Sequence, residues 1–264
     1  MRAGISTASL FLKKPNEEAV PILSGWGVET AEVFLSTFCE YNAAFGKQIA
    51  AGAGAMRINS VHTLTEQYEP QLYSAYWRTK EDAFAILGGV MEAAREFGAE
   101  FYTFHGVARI KRNGSYDRFG FLSPRTQEVF EFCRRYGVTL AYENVEWATY
   151  NRPGVFRELK RSCPGLRAVL DVKQARVSGY GYREYVEDMG EALAYVHFSD
   201  VDASGKTCLP GRGVFDTEEM LRILQGNGFD GDILIENYAR DFEDPEELRR
   251  SYLFLREKMY KLGV

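Results

Sequence analysis

Short runs of β-branched, aliphatic and aromatic residues recur along the chain, separated by longer stretches whose apolar residues fall every third or fourth position. The runs Ala3–Ser6, Thr30–Phe34, Ile58–His62, Phe101–His105, Val138–Glu143, Ala168–Asp171, Ala194–Phe198 and Asp232–Glu236 predict eight strands. Most are nearly continuous rather than alternating, as expected of strands covered on both faces. Between them, Lys80–Phe97 puts apolar residues at 83, 84, 86, 87, 90, 91 and 94, one face of a 3.6-residue period, and Gly98 follows as a stop. Gln127–Tyr136 ends in the same way at Gly137. Asp216 opens a further helix, with Glu219 at capping-box spacing, and Asp244-Pro245-Glu246-Glu247 opens the last with an N-cap, a first-turn proline and first-turn acids.

Eight strands alternating with about eight helices over 264 residues match the requirement of a (β/α)8 TIM barrel. A doubly wound open sheet would carry a glycine-rich phosphate turn after its first strand, and Ser6-Thr7-Ala8-Ser9-Leu10 is not one. No linker or low-complexity tract interrupts the alternation, so residues 1–264 are expected to form a single TIM-barrel domain. Apolar residues at 45% leave ample material for its core.

Charge and cysteines narrow the function classes. A net charge of −5 lacks the basic footprint of a general nucleic-acid binder, so no nucleic-acid partner is expected. Cys39, Cys133, Cys163 and Cys208 show no CxxC spacing, which speaks against a thiolate zinc site and a disulfide framework. No apolar stretch is long enough to span a bilayer, and Met1–Ser6 enters a strand-like run without the apolar core of a signal peptide. A cytoplasmic protein with no membrane partner is the expectation.

The candidate chemistry lies at the carboxyl ends of the predicted strands. All three histidines are there, His62 after strand three, His105 after strand four and His197 on strand seven. Glu143, Asp171 and Glu236 end strands five, six and eight, and Glu32 on strand two is a further candidate. From 62 to 236 the set recurs about every 35 residues, close to the length of one βα unit, so closing a barrel brings its members onto one ring at the C-terminal mouth. Singly, each has a bland reading as a satisfied strand-end residue. Together, converging carboxylates and imidazoles would repel or go unpaired unless a cation joined them. Glu143, Asp171, His197 and Glu236 offer three oxygens and one nitrogen, a set suited to one divalent metal ion, Mn²⁺ first, with Co²⁺, Zn²⁺ or Mg²⁺ as alternatives.

Over nearly its whole length the chain resembles the xylose isomerase-like barrels, the sugar isomerase/epimerase family that includes ketose 3-epimerases and type IV apurinic endonucleases. The resemblance rests on Ala141-Tyr142-Glu143-Asn144, Leu170-Asp171, Val196-His197-Phe198-Ser199-Asp200, Pro210-Gly211-Arg212-Gly213 with Asp216, and Ile233-Leu234-Ile235-Glu236. It implies that Glu143, Asp171, His197 and Glu236 hold one metal, which acts as a Lewis acid on a developing enediolate. It also implies that Glu143 and Glu236 exchange a carbon-bound proton from opposite faces of an open-chain sugar, and that the barrel self-associates. The sequence departs from the family at Gln174, where a histidine usually follows the strand-six aspartate by three residues, and no histidine follows His197. A complete trinuclear zinc centre is therefore not expected. His62 and His105 match endonuclease ligand positions, which leaves a mono- or dinuclear hydrolase as the second reading and a non-catalytic sugar-binding barrel as the third. A dehydratase would use the same enolisation chemistry as the leading reading.

Loop residues complete the expectations. His62, His105, Gln174, Lys173, Arg212 and Trp147 are expected to meet a small sugar substrate, with Tyr180 and Tyr182 walling the same pocket. Lys173 either faces the barrel wall or binds an anionic group. The segment Thr63–Trp77, with Tyr68, Tyr73, Tyr76 and Trp77, reads equally as a lid or as aromatics packed on the rim. Arg109, Lys111, Arg112 and Arg118 read as a solvated face or as an anion clamp.

Overall fold

In the computed structural model, which describes residues 1–64, 67–108 and 119–264, every predicted strand is present. They are β1 (Arg2–Ser6), β2 (Thr30–Leu35), β3 (Arg57–Thr63), β4 (Phe101–Phe104), β5 (Thr139–Glu143), β6 (Arg167–Asp171), β7 (Leu193–Phe198) and β8 (Asp232–Ile235). All neighbours pair in parallel, and β1 joins both β2 and β8, so the sheet closes into one (β/α)8 barrel. The connecting helices are α1 (Asn16–Gly25), α2 (Ala43–Ala53), α3 (Trp77–Glu96), α4 (Phe119–Arg134), α5 (Val155–Ser162), α6 (Val172–Val177), α7 (Tyr182–Met189), α8 (Thr217–Gly226) and α9 (Pro245–Leu262). Among the described residues, no helix is long and apolar enough to cross a membrane.

The caps expected from sequence form, with one difference. The side chain of Asp244 accepts from Glu246 N and, with Glu247 returning to the cap, closes a capping box. Asp216 accepts from Glu219 N at 2.9 Å, but the Glu219 carboxylate turns to Arg183 instead of back to the cap. Helices α3 and α4 both begin earlier than their apolar periods, because Trp77–Thr79 and Phe119–Thr126 continue the helix ahead of the periodic stretch.

Most of the apolar core lies between barrel and helices, joining residues such as Val33, Leu87, Val90, Phe156 and Leu255. A separate, smaller cluster of Phe101, Ala141, Val169, Ala194, Tyr195 and Leu234 has, Ala194 apart, a simple origin. Side chains alternate along a strand, so a residue two positions before a strand-end ligand shares its face. Ala141 precedes Glu143, Val169 precedes Asp171, Tyr195 precedes His197 and Leu234 precedes Glu236, each by two. The cluster is thus an apolar plug inside the barrel beneath the mouth. Register staggers the strands there: Asp171 pairs with His197, but His197 pairs with Leu234, so Glu236 stands two residues further along its strand.

Candidate metal centre at the barrel mouth

The carboxyl ends of β5 to β8 deliver Glu143, Asp171, His197 and Glu236 to one place. One ligand atom from each lies within 4.8 Å of the others. Glu143 Oε1 is 2.9 Å from His197 Nδ1, and Glu143 Oε2 is 2.5 Å from His105 Nε2. Glu236 Oε2 approaches His197 Nδ1 to 2.6 Å as an ion pair, yet this buried oxygen has no hydrogen-bond partner. Asp171 directs Oδ1 to Gln174 N at 2.7 Å, capping α6, and Oδ2 to Lys173 Nζ at 3.4 Å.

Backbone positioning comes from residues that the sequence reading left without a role. Asn144 brackets Asp171, accepting from its N–H at 2.8 Å and donating to its carbonyl at 3.0 Å. Glu69, fully buried, accepts from His105 N at 3.0 Å, Gly106 N at 3.2 Å and the Tyr102 hydroxyl at 2.6 Å, and so holds the end of β4. Gly106 has φ +74°, and a Cβ there would lie 1.9 Å from the Tyr142 hydroxyl, so only glycine fits this turn.

Glu32 lies fully buried beneath Glu143 and His197. Its carboxylate accepts from Ser6 Oγ at 2.9 Å, Ser60 Oγ at 2.8 Å and the Thr103 hydroxyl, and meets His197 Nε2 at 3.2 Å. The polar residues within otherwise apolar strands, Ser6, Ser60 and Thr103, were the sequence signal for this layer.

The electrostatics are those of converging like charges. Burial pushes the Asp171 carboxyl up, and Glu143 and Glu236 add to that against Lys173, leaving it at about 6. Burial also opposes ionisation of Glu143, but His197 and His105 outweigh it and hold that carboxyl well below the usual range. His62 is driven down by burial and up by Glu32 3.5 Å away, and the second effect wins, raising it to about 9.

A divalent cation fits these residues. The donor set is three carboxylates and an imidazole. Buried polar atoms also go unmatched at the site: Glu236 Oε2 and both ring nitrogens of His62 lack hydrogen-bond partners. His62, His105 and Glu143 form a second group of the same kind, and Glu32, His62 and Glu236 a third.

Above the cluster opens a cavity of about 500 Å³. It is lined by Phe11, Leu12, Phe34, His62, His105, Trp147, Asp171, Lys173, Gln174, Glu236, Tyr238 and Arg240, among others. Of the residues expected to meet substrate, His62, His105, Lys173, Gln174 and Trp147 all line this cavity. His105 packs edge-on to Trp147 with ring centres 5.4 Å apart, and Phe34 packs edge-on to His62 at 5.1 Å. The Gln174 side-chain oxygen accepts from Glu146 N at 3.1 Å.

Other expectations are corrected. Arg212 is not a mouth residue: its guanidinium pairs with Glu247 on α9. The reason is the turn that carries it, which wraps around Asp200. That buried carboxylate accepts from Gly211, Gly213 and Phe215 N–H groups at 3.0–3.1 Å, and a Cβ on Gly213 would strike it. The Pro210–Gly213 motif is thus a carboxylate-centred turn that directs Arg212 outward. Tyr180 and Tyr182 line a smaller, separate cavity of about 200 Å³ beside α6. In the segment after β3, Tyr68 and Tyr73 are buried, with Tyr68 bonded to the Tyr102 hydroxyl at 2.6 Å and Tyr73 to that of Thr126 at 2.8 Å. They pack rather than cover the mouth, whereas Tyr76 and Trp77 are exposed. Arg109, Lys111, Arg112 and Arg118 lie outside the described residues.

A family model described as xylose isomerase-like TIM barrel matches residues 22–258. No curated protein matches the chain in sequence. Among solved structures, D-psicose 3-epimerase superposes with a TM-score of 0.78 at 13% identity, covering 98% of this chain and 99% of that one. The 3-keto-D-glucoside 4-epimerase YcjR of E. coli gives 0.75 at 14%, covering 97% and 99%. L-ribulose 3-epimerase gives 0.73 at 14%, covering 99% and 93%. At these identities the likeness is one of fold.

Proposed function

From the premise that the chain belongs to the xylose isomerase-like TIM barrels, we propose that it is a divalent-metal-dependent isomerase or epimerase of a small sugar or sugar derivative. The observation that carries this reading is the convergence of Glu143, Asp171, His197 and Glu236 within 4.8 Å under an aromatic-walled cavity. That the fold neighbours are sugar epimerases supports it.

When bound by these four side chains, a divalent cation supplies Lewis-acid polarisation of a carbonyl and its neighbouring hydroxyl. The remaining work belongs to the chain. Glu143 and Glu236 stand on β5 and β8, with β6 and β7 between them, and so approach the cavity from different sides. One carboxylate takes the proton from the carbon next to the carbonyl. The other, protonated, returns one to the opposite face, which inverts that carbon. Return to the adjacent carbon instead gives aldose–ketose isomerisation. His62 and His105 offer ring nitrogens to substrate oxygens, while Trp147 and Phe34 present apolar faces to a sugar's C–H surface.

The test is solvent exchange. Purified protein with Mn²⁺ in D₂O should incorporate deuterium at a carbon next to the carbonyl of a ketose, and neither Glu143→Gln nor Glu236→Gln should do so. A second reading, a metal-dependent hydrolase, is favoured by the His62–His105–Glu143 group. Two bound zinc equivalents with no exchange on any sugar would select it.

A further inference from the structure

We propose that the substrate carries an anionic group, a carboxylate or a phosphate, and that Lys173 is the residue that selects it, with Arg240 as a second cation at the rim. The inference rests on the reading above in taking the mouth cavity as the substrate site.

Lys173 is buried to 9% exposure and lines that cavity. Its ammonium has three protons to place. It meets Asp171 Oδ2 at 3.4 Å, longer than a good charge-assisted hydrogen bond, and the Tyr238 ring, whose centre is 4.7 Å away. Other lysines near the core do better. Lys13 donates to the carbonyls of Phe242 and Glu243 at 2.8 and 3.0 Å, and Lys160 to those of Pro164 and Leu166 at 2.9 and 3.0 Å. A more deeply buried ammonium with a poorer set of acceptors, facing a cavity, has room for one more acceptor from a ligand.

Charge balance points the same way. Glu143, Asp171 and Glu236 exceed the charge of a divalent cation by one negative unit, and Lys173 cancels that excess. Glu32, the next carboxylate, is occupied by three hydroxyls and His197. An anion entering the mouth therefore meets no net repulsion, which three carboxylates and a cation alone would impose. Asp171 must also share its charge with any cation it holds, which weakens its claim on Lys173. The Arg240 guanidinium stacks on the same Tyr238 ring at 4.7 Å, is exposed and lines the cavity.

The two cations sit at different depths, and this separates the two anions. Lys173 Nζ adjoins a metal-candidate carboxylate, so a group it holds lies next to the reacting atoms, as the carboxylate of a sugar acid would. Arg240 at the rim suits a phosphate at the far end of the molecule.

Calorimetric titration with D-gluconate, D-glucitol 6-phosphate and neutral D-glucitol in Mn²⁺ buffer tests this by binding, independently of turnover. Gluconate or the phosphate should bind at least tenfold more tightly than glucitol. Lys173→Met should erase the gluconate preference and Arg240→Gln the phosphate preference, each checked for fold by circular dichroism. Equal binding of all three to the wild-type protein overturns the inference and makes Lys173 only the counter-ion of Asp171, and that comparison needs no variant to fold. Deuterium exchange on neutral ketoses without any anion preference leaves the epimerase reading standing and removes this one. Anion preference without exchange on any sugar does the reverse.

Discussion

Glu32 on β2 and His197 on β7 meet 3.2 Å apart beneath the acidic cluster, through the imidazole nitrogen that faces away from it. Both imidazole nitrogens thus face carboxylates, and a cation held between Glu143 and Glu236 would take the place of the proton on Nδ1 while Nε2–H stays on Glu32. A buried glutamate beneath the ring is thus placed to fix the tautomer of a candidate ligand.

Glu32→Gln should therefore weaken cation binding by about 10- to 100-fold, because the amide holds Nε2–H less strongly and no longer enforces the ring orientation. Equilibrium dialysis with Mn²⁺ measures this. Unchanged affinity would mean that His197 needs no support from below.

Glu143→Gln and Glu236→Gln should each lower deuterium exchange by about 10²–10⁴-fold, the range for loss of a positioned acid or base. Metal content measured on the same samples separates a lost base from a lost ligand. Full exchange in both variants would end the two-carboxylate mechanism.

Asp171 makes a prediction whose sign runs against the usual carboxylate. Its folded value of about 6 lies above the unfolded value of 3.8, so without a cation the folded state holds this proton more tightly. The group's contribution is most favourable below pH 4 and is lost as pH rises through 6. In chelator-treated protein, Asp171→Asn should raise stability at pH 7.5 by on the order of 2 kcal/mol and by much less at pH 4.5. Thermal melts at the two pH values provide the readout, and a variant less stable than wild type at pH 7.5 would refute the burial argument. Mn²⁺ should stabilise the wild type and not the variant.

Arg212→Ala should leave kcat/KM within about twofold and change Tm little, since a partly solvated ion pair with Glu247 contributes little to stability. A large loss of turnover would return Arg212 to the mouth and require the Asp200-centred turn to rearrange.

Some parts of the molecule were readable because each is local. The eight strands could be located since a strand buried on both faces needs a continuous apolar run, and Asp244 and Gly98 mark helix ends through chemistry confined to one turn. Asp171 and Glu236 were recognisable as members of the mouth cluster because a carboxylate at the end of such a run has no core partner of its own. Glu69 was not recognisable, because its partners His105 and Gly106 lie some 36 residues away and nothing near it in the chain hints at them. The aromatic segment after β3 was ambiguous for a related reason. Whether Tyr68 covers the mouth or packs beneath it depends on a hydroxyl on β4, Tyr102.

Sequence by itself determined the order and kind of elements, the closed parallel barrel they imply, and the strand-end acids and imidazoles that meet at its mouth. Tertiary structure alone decided that Glu32 lies below the ring, that His197 turns Nδ1 upward, that Lys173 enters the cavity and that Arg212 leaves it. The physical reason is that strand periodicity assigns a side chain to the inside or outside of a barrel, whereas depth and direction depend on the neighbouring strands. Those neighbours are set by register and closure, which no single segment contains.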